Sequence, residues 1–145
     1  IHAKYDIHSI EQPIRQHQWA RMAELCASSP IPIALDEELI GVNMTQMKQD
    51  LLDRIRPQYI ILKPSLHGGM RGTREWIDLA NARGIGSWIT SALESNVGLN
   101  AVAQLAADIY GPDIRMPQGL GTGQLFTDNI PMNLEIKGDK IWKTK

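Results

Sequence analysis

Four short apolar runs recur along the chain at nearly even intervals, and that rhythm limits what it can fold into. They are 5–10 (YDIHSI), 31–35 (IPIAL), Tyr59–Leu62 (YIIL) and 87–90 (SWIT). Successive starts lie 26, 28 and 28 residues apart, the length of one βα unit. The runs are rich in β-branched and aromatic residues, as strands are. Three of them are apolar with little alternation, which suits strands of a parallel sheet covered on both faces.

The intervening segments carry a helical period. Residues 16–27 place Trp19, Met22, Ala23 and Cys26 on one face, and Thr45–Ile55 aligns Met47, Leu51 and Ile55. Asn43 or Thr45 can cap the second of these. A third helix is predicted over 73–82, ending near Gly84, and a fourth over 97–110 with Asn96 as its cap. Residues 116–123 (MPQGLGTG) read as a fifth, poorer strand. The tail, 132–136 and 140–142 around Gly138-Asp139, suggests a two-stranded hairpin. Repeated βα units build either an open sheet or a closed barrel.

Apolar residues make up 43% of the 145 and charged ones 21%, with a net charge of −1. That balance gives no electrostatic case for nucleic acid or an anionic membrane. No apolar run approaches the roughly 20 residues of a membrane span, and no signal peptide is legible. The single cysteine, Cys26, lies on the apolar helical face and reads as a core thiol in a reducing cytoplasm. The chain opens on Ile1 rather than Met, which suggests a piece of something longer.

Chemistry collects where the strands end. The first run leads into Glu11, the second into Asp36-Glu37-Glu38, the third into Lys63-Pro64-Ser65. The fourth ends at Thr90-Ser91 with Glu94 close behind, and the fifth enters the GLGTG loop. Polar residues at the carboxyl ends of successive parallel strands share one rim, which in a (β/α)₈ barrel is the active site. Glu11 and Asp36 could both give oxygens to one Mg²⁺, or each could cap a helix or meet a surface lysine. Lys63 emerges at the same rim. Its ammonium could move a proton beside a carbonyl or stabilise an enolate by charge, or it could simply pair with Asp36 or Glu11. GLGTG (119–123) lacks the spacing of a dinucleotide fingerprint. A backbone site for a substrate carboxylate and a plain tight turn both remain open. His2, His8, His17 and His67 show no metal spacing. His67 shares the loop of Lys63, and His8 reads as a packed strand residue.

Together SIEQP, ALDEE, ILKPS, TSALES and GLGTGQLF resemble the later strand ends of enolase-superfamily barrels, and most closely the o-succinylbenzoate synthase family of menaquinone biosynthesis. The resemblance covers nearly the whole chain. It implies a fold of about five βα units from the carboxyl-terminal part of a (β/α)₈ barrel. Glu11 and Asp36 then correspond to the second and third of three magnesium carboxylates, and Lys63 to the strand-six lysine that stabilises an enediolate by its charge. Ser91 and the backbone of Leu120, Gly121 and Thr122 would lie near the succinyl side chain. The implied reaction is a magnesium-assisted loss of water that aromatises a ring in a small carboxylate substrate. The capping domain, the first three barrel strands, the strand-two lysines and the first metal carboxylate have no counterpart here, and Lys4 precedes its strand rather than ending it. The expectation is therefore an inert half-site with weak or no Mg²⁺ binding, self-associating through open barrel edges. An N-acylamino acid racemase or dipeptide epimerase of the same superfamily, and a non-catalytic binding module, are the alternatives.

Overall fold

The computed structural model describes residues 4–111 and 114–144. Four parallel strands form one sheet in the order β1-β2-β3-β4: Ile10–Glu11, Ile33–Leu35, Tyr59–Leu62 and Gly86–Ile89. Helices α1 (Trp19–Ser28), α2 (Thr45–Ile55) and α3 (Gly69–Asn81) make the crossovers, and α4 (Asn96–Tyr110) follows β4. Strand order equal to chain order is what repeated βα crossovers of one hand produce. After α4 the chain returns to the sheet through one parallel bridge, Thr90 with Gly119, and then forms a 3-10 turn over Gly121–Leu125. A separate antiparallel pair, β5 (Leu134–Lys137) and β6 (Lys140–Lys143), closes the chain.

Alternation along the strands gives the sheet two different faces. Ile33, Leu35, Ile60, Leu62 and Ile89 point toward the helices and join one core with Met22, Leu51, Leu52, Trp76 and Leu99. Each fully buried Leu or Ile there contributes roughly 1.5–3 kcal/mol relative to exposure. Cys26 is a buried free thiol in this core, and burial pushes its pKa up to about 11. The opposite face carries Ala34, Tyr59, Ile61 and Trp88, with His8 laid against Tyr59 and Trp88 at ring-centroid distances of 4.7 and 5.9 Å. Gly86 makes room for this cluster, because a Cβ there would meet the Tyr59 ring at 2.5 Å.

The boundaries depart from the sequence reading where side chains compete with backbone. The first strand is confined to Ile10–Glu11 instead of 5–10, since it has a strand neighbour on one side only and His8 packs outside the ladder. Helix α1 starts at Trp19 because His17 sits at φ +68 and its amide is taken by a side chain. Helix α3 starts four residues early, at Gly69, behind a left-handed Gly68. Ser95, not Asn96, precedes α4, and Asn96 instead pairs through its side chain with the backbone of Ile130. Neither Asn43 nor Thr45 caps α2: Met44 occupies the cap, and the Thr45 hydroxyl donates to Glu75. Residues 116–123 supply only the Gly119 bridge. Gly119 presses so close to Thr90 that a Cβ would meet its hydroxyl oxygen at 2.1 Å.

Candidate active site

Glu11, Asp36 and Lys63 stand at or just beyond the carboxyl ends of β1, β2 and β3. The register aligns Glu11 with Ala34 and Ala34 with Tyr59. Counting by twos from those pairs puts Glu11, Asp36 and Lys63 on the same sheet face, the one turned away from the helices. Asp36 is 1% exposed. Its Oδ2 accepts an ion-paired hydrogen bond from the Lys63 ammonium, and its Oδ1 is buried with no partner. Glu11 is exposed at the sheet edge. Partial burial of its carboxyl, followed by a hydrogen bond to Asp36 and the charge of Asp36, raises its pKa above the ordinary glutamate value, against a smaller opposing pull from Lys63.

Those features test whether the residues suit a divalent cation. Two carboxylates crowd one another, one holds its proton more tightly than usual, and a buried oxygen lacks a partner. A hard cation between them would supply the missing charge and the missing partner, and Mg²⁺ needs few protein carboxylates. The donor set fits in kind and falls short in number: among the described residues no group of three or more His, Cys, Asp or Glu is placed to hold a metal.

Lys63 is fixed from behind by a residue whose role the sequence left open. Its backbone N–H donates to His67 Nδ1 at 2.8 Å. His67 is 1% exposed. Burial lowers its pKa to about 4, with Asp36 opposing and Lys63 and Lys48 assisting, so at neutral pH the ring is uncharged and free to accept this bond. Of the other histidines, His8 belongs to the aromatic cluster, His17 lies two residues before α1, and His2 lies outside the described residues.

Ser91 and the GLGTG loop flank the same rim beyond β4. The Ser91 hydroxyl donates to Glu94 and accepts the Glu94 amide at 3.2 Å, so its hydrogen bonds close on its own turn. Burial of Glu94 opposes ionisation. Hydrogen bonds from Ser65, Ser91 and backbone amides outweigh it and hold the carboxyl below its usual range. Leu120 is buried, Gly121 is exposed, and the half-buried Thr122 presents a hydroxyl oxygen without a partner. The rim thus brings Glu11, Asp36 and Lys63 together and sets Ser91 and 120–122 on its far side.

The family model of the enolase C-terminal domain-like proteins matches residues 1–131. The chain belongs to that family. Across 136 residues, 94% of this chain and 36% of the relative, it is 63% identical to o-succinylbenzoate synthase from Desulfotalea psychrophila. The crystal structure of MenC from the same organism superposes with a TM-score of 0.88 at 60% identity, covering 96% of this chain and 38% of that one. An L-amino acid-D/L-Glu epimerase from Francisella philomiragia is 28% identical over 130 residues, 88% of this chain and 35% of the relative. The chain therefore spans little more than a third of the relatives it resembles. Within the family, the four parallel strands and their helices are a stretch of a barrel-like α/β domain. No helix among the described residues is long and apolar enough to cross a membrane.

Two polar residues beside the rim were not singled out in the sequence: Gln12, whose side chain accepts the Asp36 amide, and Glu38. Glu38 was legible only as part of an acidic run, whereas Asp36 and Glu38 both prove buried, at 1% exposed each. A carboxylate at a buried position needs donors or a cation, and the run itself names neither.

Proposed function

We propose that this chain is the carboxyl-terminal barrel portion of an o-succinylbenzoate synthase, a Mg²⁺-dependent carbon–oxygen lyase, and is inert without the rest of the barrel. The observation that carries the reading is the meeting of Glu11, Asp36 and Lys63 at three successive strand ends, in a chain 63% identical to a synthase of that name. Glu11 and Asp36 would hold the magnesium ion, which when bound neutralises charge on the substrate carboxylate. Lys63, seated by His67, supplies a fixed positive charge on the same face where negative charge develops as the substrate loses a proton. The base that takes that proton belongs, in this reading, to the strands outside the chain's span, together with the third carboxylate. Ser91 and the backbone of 120–122 border the place for the succinyl side chain. The bare sheet edges and the aromatic cluster on the open face would meet the completing strands, or a second copy when those are missing.

The similarity to an epimerase gives a second reading, in which Lys63 transfers a proton instead of holding a charge. One experiment separates the two. The chain is mixed with the missing amino-terminal portion, and Mg²⁺-dependent formation of o-succinylbenzoate is measured beside epimerisation of dipeptides. Turnover of the first kind in the mixture and none in the chain alone is expected. Lys63→Ala should lower it by a hundredfold or more, while Lys63→Arg, which keeps the charge but does not release a proton near neutral pH, retains a measurable fraction. Epimerisation abolished by Lys63→Arg, with no o-succinylbenzoate formed, would replace the lyase reading by the second.

A further inference from the structure

Behind the two carboxylates, the half-buried Gln12 and the buried Glu38 form a polar link between the ends of β1 and β2. The Gln12 side-chain carbonyl accepts the backbone N–H of Asp36 at 3.1 Å and that of Glu38 at 3.3 Å. Its amide group donates to the Ile14 carbonyl at 2.9 Å and to Glu38 Oε2 at 3.4 Å. The other oxygen of Glu38 accepts the His17 amide and the Trp19 indole N–H, each at 2.8 Å. No lysine or arginine pairs with Glu38 among the described residues. Its burial is offset by these neutral donors alone.

The backbone here is strained. Gln12 sits at φ +35 and His17 at φ +68, both non-glycine residues, and such conformations are costly and persist only where surrounding bonds over-determine them. Strain of this kind is informative next to a functional residue, and Gln12 follows Glu11 directly. The strand it continues is weakly held: β1 contributes only Ile10 and Glu11 to the ladder. Backbone bonds from the Ile10 and Gln12 amides to the carbonyls of Pro32 and Ala34 hold that short edge, and the Gln12 side chain adds a tie directly to the Asp36 amide.

We infer that Gln12 and Glu38 are positioning residues, which set Glu11 and Asp36 at the separation needed for both to reach one divalent cation. The inference rests on reading Glu11 and Asp36 as cation ligands. Gln12 is bonded covalently to Glu11 and through its side chain to the amide of Asp36, so one residue ties the two ligand-bearing backbones together. Glu38 in turn holds the 12–18 loop and the first residue of α1 against the same point. A magnesium-sized ion demands near-ideal oxygen geometry, and a displacement of about 1 Å is enough to spoil a site built on a loose support. The arrangement gives the chain a cation half-site whose geometry is preset.

The test uses the chain itself and Mn²⁺ as probe. Paramagnetic broadening of backbone amide signals locates the ion, and electron paramagnetic resonance of the free ion gives the affinity. Broadening centred on Glu11 and Asp36 is expected. Gln12→Ala should weaken the affinity tenfold or more while amide signals on α2, α3 and α4 stay in place. Trp19→Phe, which removes one donor to Glu38 and keeps the packing, should weaken it two- to threefold. Glu38→Gln keeps the His17 and Trp19 bonds on its amide oxygen but turns an NH2 toward the Gln12 amide donor. It should therefore weaken the affinity threefold or more, and parent-like affinity there counts against the link. Parent-like affinity in Gln12→Ala overturns the inference, as does absence of localised broadening in the parent chain. Should Gln12→Ala fail to fold, Trp19→Phe decides, and unchanged affinity there counts against the link. The lyase reading stands or falls separately: a mixture that assembles without turnover, beside a Gln12→Ala loss of Mn²⁺ affinity, removes the reaction and leaves the positioning role.

Discussion

Asp36 and Glu11 are carboxylates on neighbouring strand ends, facing the same side of the sheet, yet they live in different surroundings. Asp36 ends a strand flanked by β1 and β3 and is 1% exposed, with an ammonium on one oxygen. Glu11 ends the edge strand, is exposed, and feels chiefly partial burial and its negative neighbour. The difference shows that a rim residue acquires its chemistry from the strands on either side of it. Between β2 and β3 this chain completes the rim by itself. At β1 it supplies one side only.

The contrast can be broken at its strongest point by removing the ammonium. Lys63→Ala leaves Asp36 buried with neither oxygen held by a cation, and breaking a buried pair in this way costs about 3–5 kcal/mol. Denaturant unfolding of the chain at neutral pH measures it. Adding Asp36→Asn in the same background should recover most of the loss, because the cost lies in the orphaned charge. A loss below about 1 kcal/mol would mean that solvent reaches Asp36 as freely as it reaches Glu11, and the two regions would cease to differ.

Acid sharpens the same comparison through His67, the residue behind Lys63. Its folded pKa of about 4 lies below the ordinary 6.5, with burial as the main cause. The unfolded chain therefore binds a proton between those values that the folded chain refuses. The stability tied to the neutral ring is complete above pH 6.5 and is lost as pH falls through about 4. A depression of that size corresponds to about 3 kcal/mol. Unfolding free energies at pH 7 and pH 4 should thus fall about 3 kcal/mol further for the parent chain than for His67→Leu. Equal pH dependence in the two would show that the ring is not sealed in the interior.

How much of this was legible beforehand follows the same division. The repeat of apolar runs locates β2 and β3 to within two residues, because central strands are sequestered on both faces and their composition records it. It locates β4, the opposite edge, to within one, because β4 pairs with β3 along its whole length. It overstates β1 by five residues: an edge strand's length depends on partners, and composition does not encode them. Strand-end reasoning brings Glu11, Asp36 and Lys63 to one rim and leaves their alternatives open, and the Asp36–Lys63 ion pair, named among them, does form. Ser91 looks free in the sequence and is engaged by Glu94 three residues on, a local turn bond that the order Ser-Ala-Leu-Glu permits without announcing. The Gln12–Glu38 link joins residues 26 apart in sequence. Periodicity pairs strands at that distance, but it says nothing of which polar side chains meet above them.

The smallest effect tests the edge. Glu11 keeps its proton to higher pH when folded than when unfolded, since burial and the nearby Asp36 disfavour its charge. Its contribution to stability is therefore fully present below pH 4.5 and lost as pH rises through the folded value, opposite in sign to that of His67. Glu11→Gln removes the like charge and keeps the shape, so at pH 7 it should stabilise the chain by a few tenths of a kcal/mol, the scale of exposed charge pairs. Near pH 4, where the parent side chain is largely protonated, the gain should vanish. Thermal unfolding of the two proteins across pH 4–8 resolves the trend even where single points do not. A destabilising Glu11→Gln at neutral pH would mean that the carboxylate already has a favourable partner within this chain, and that the β1 end of the rim is as complete as the β2–β3 end.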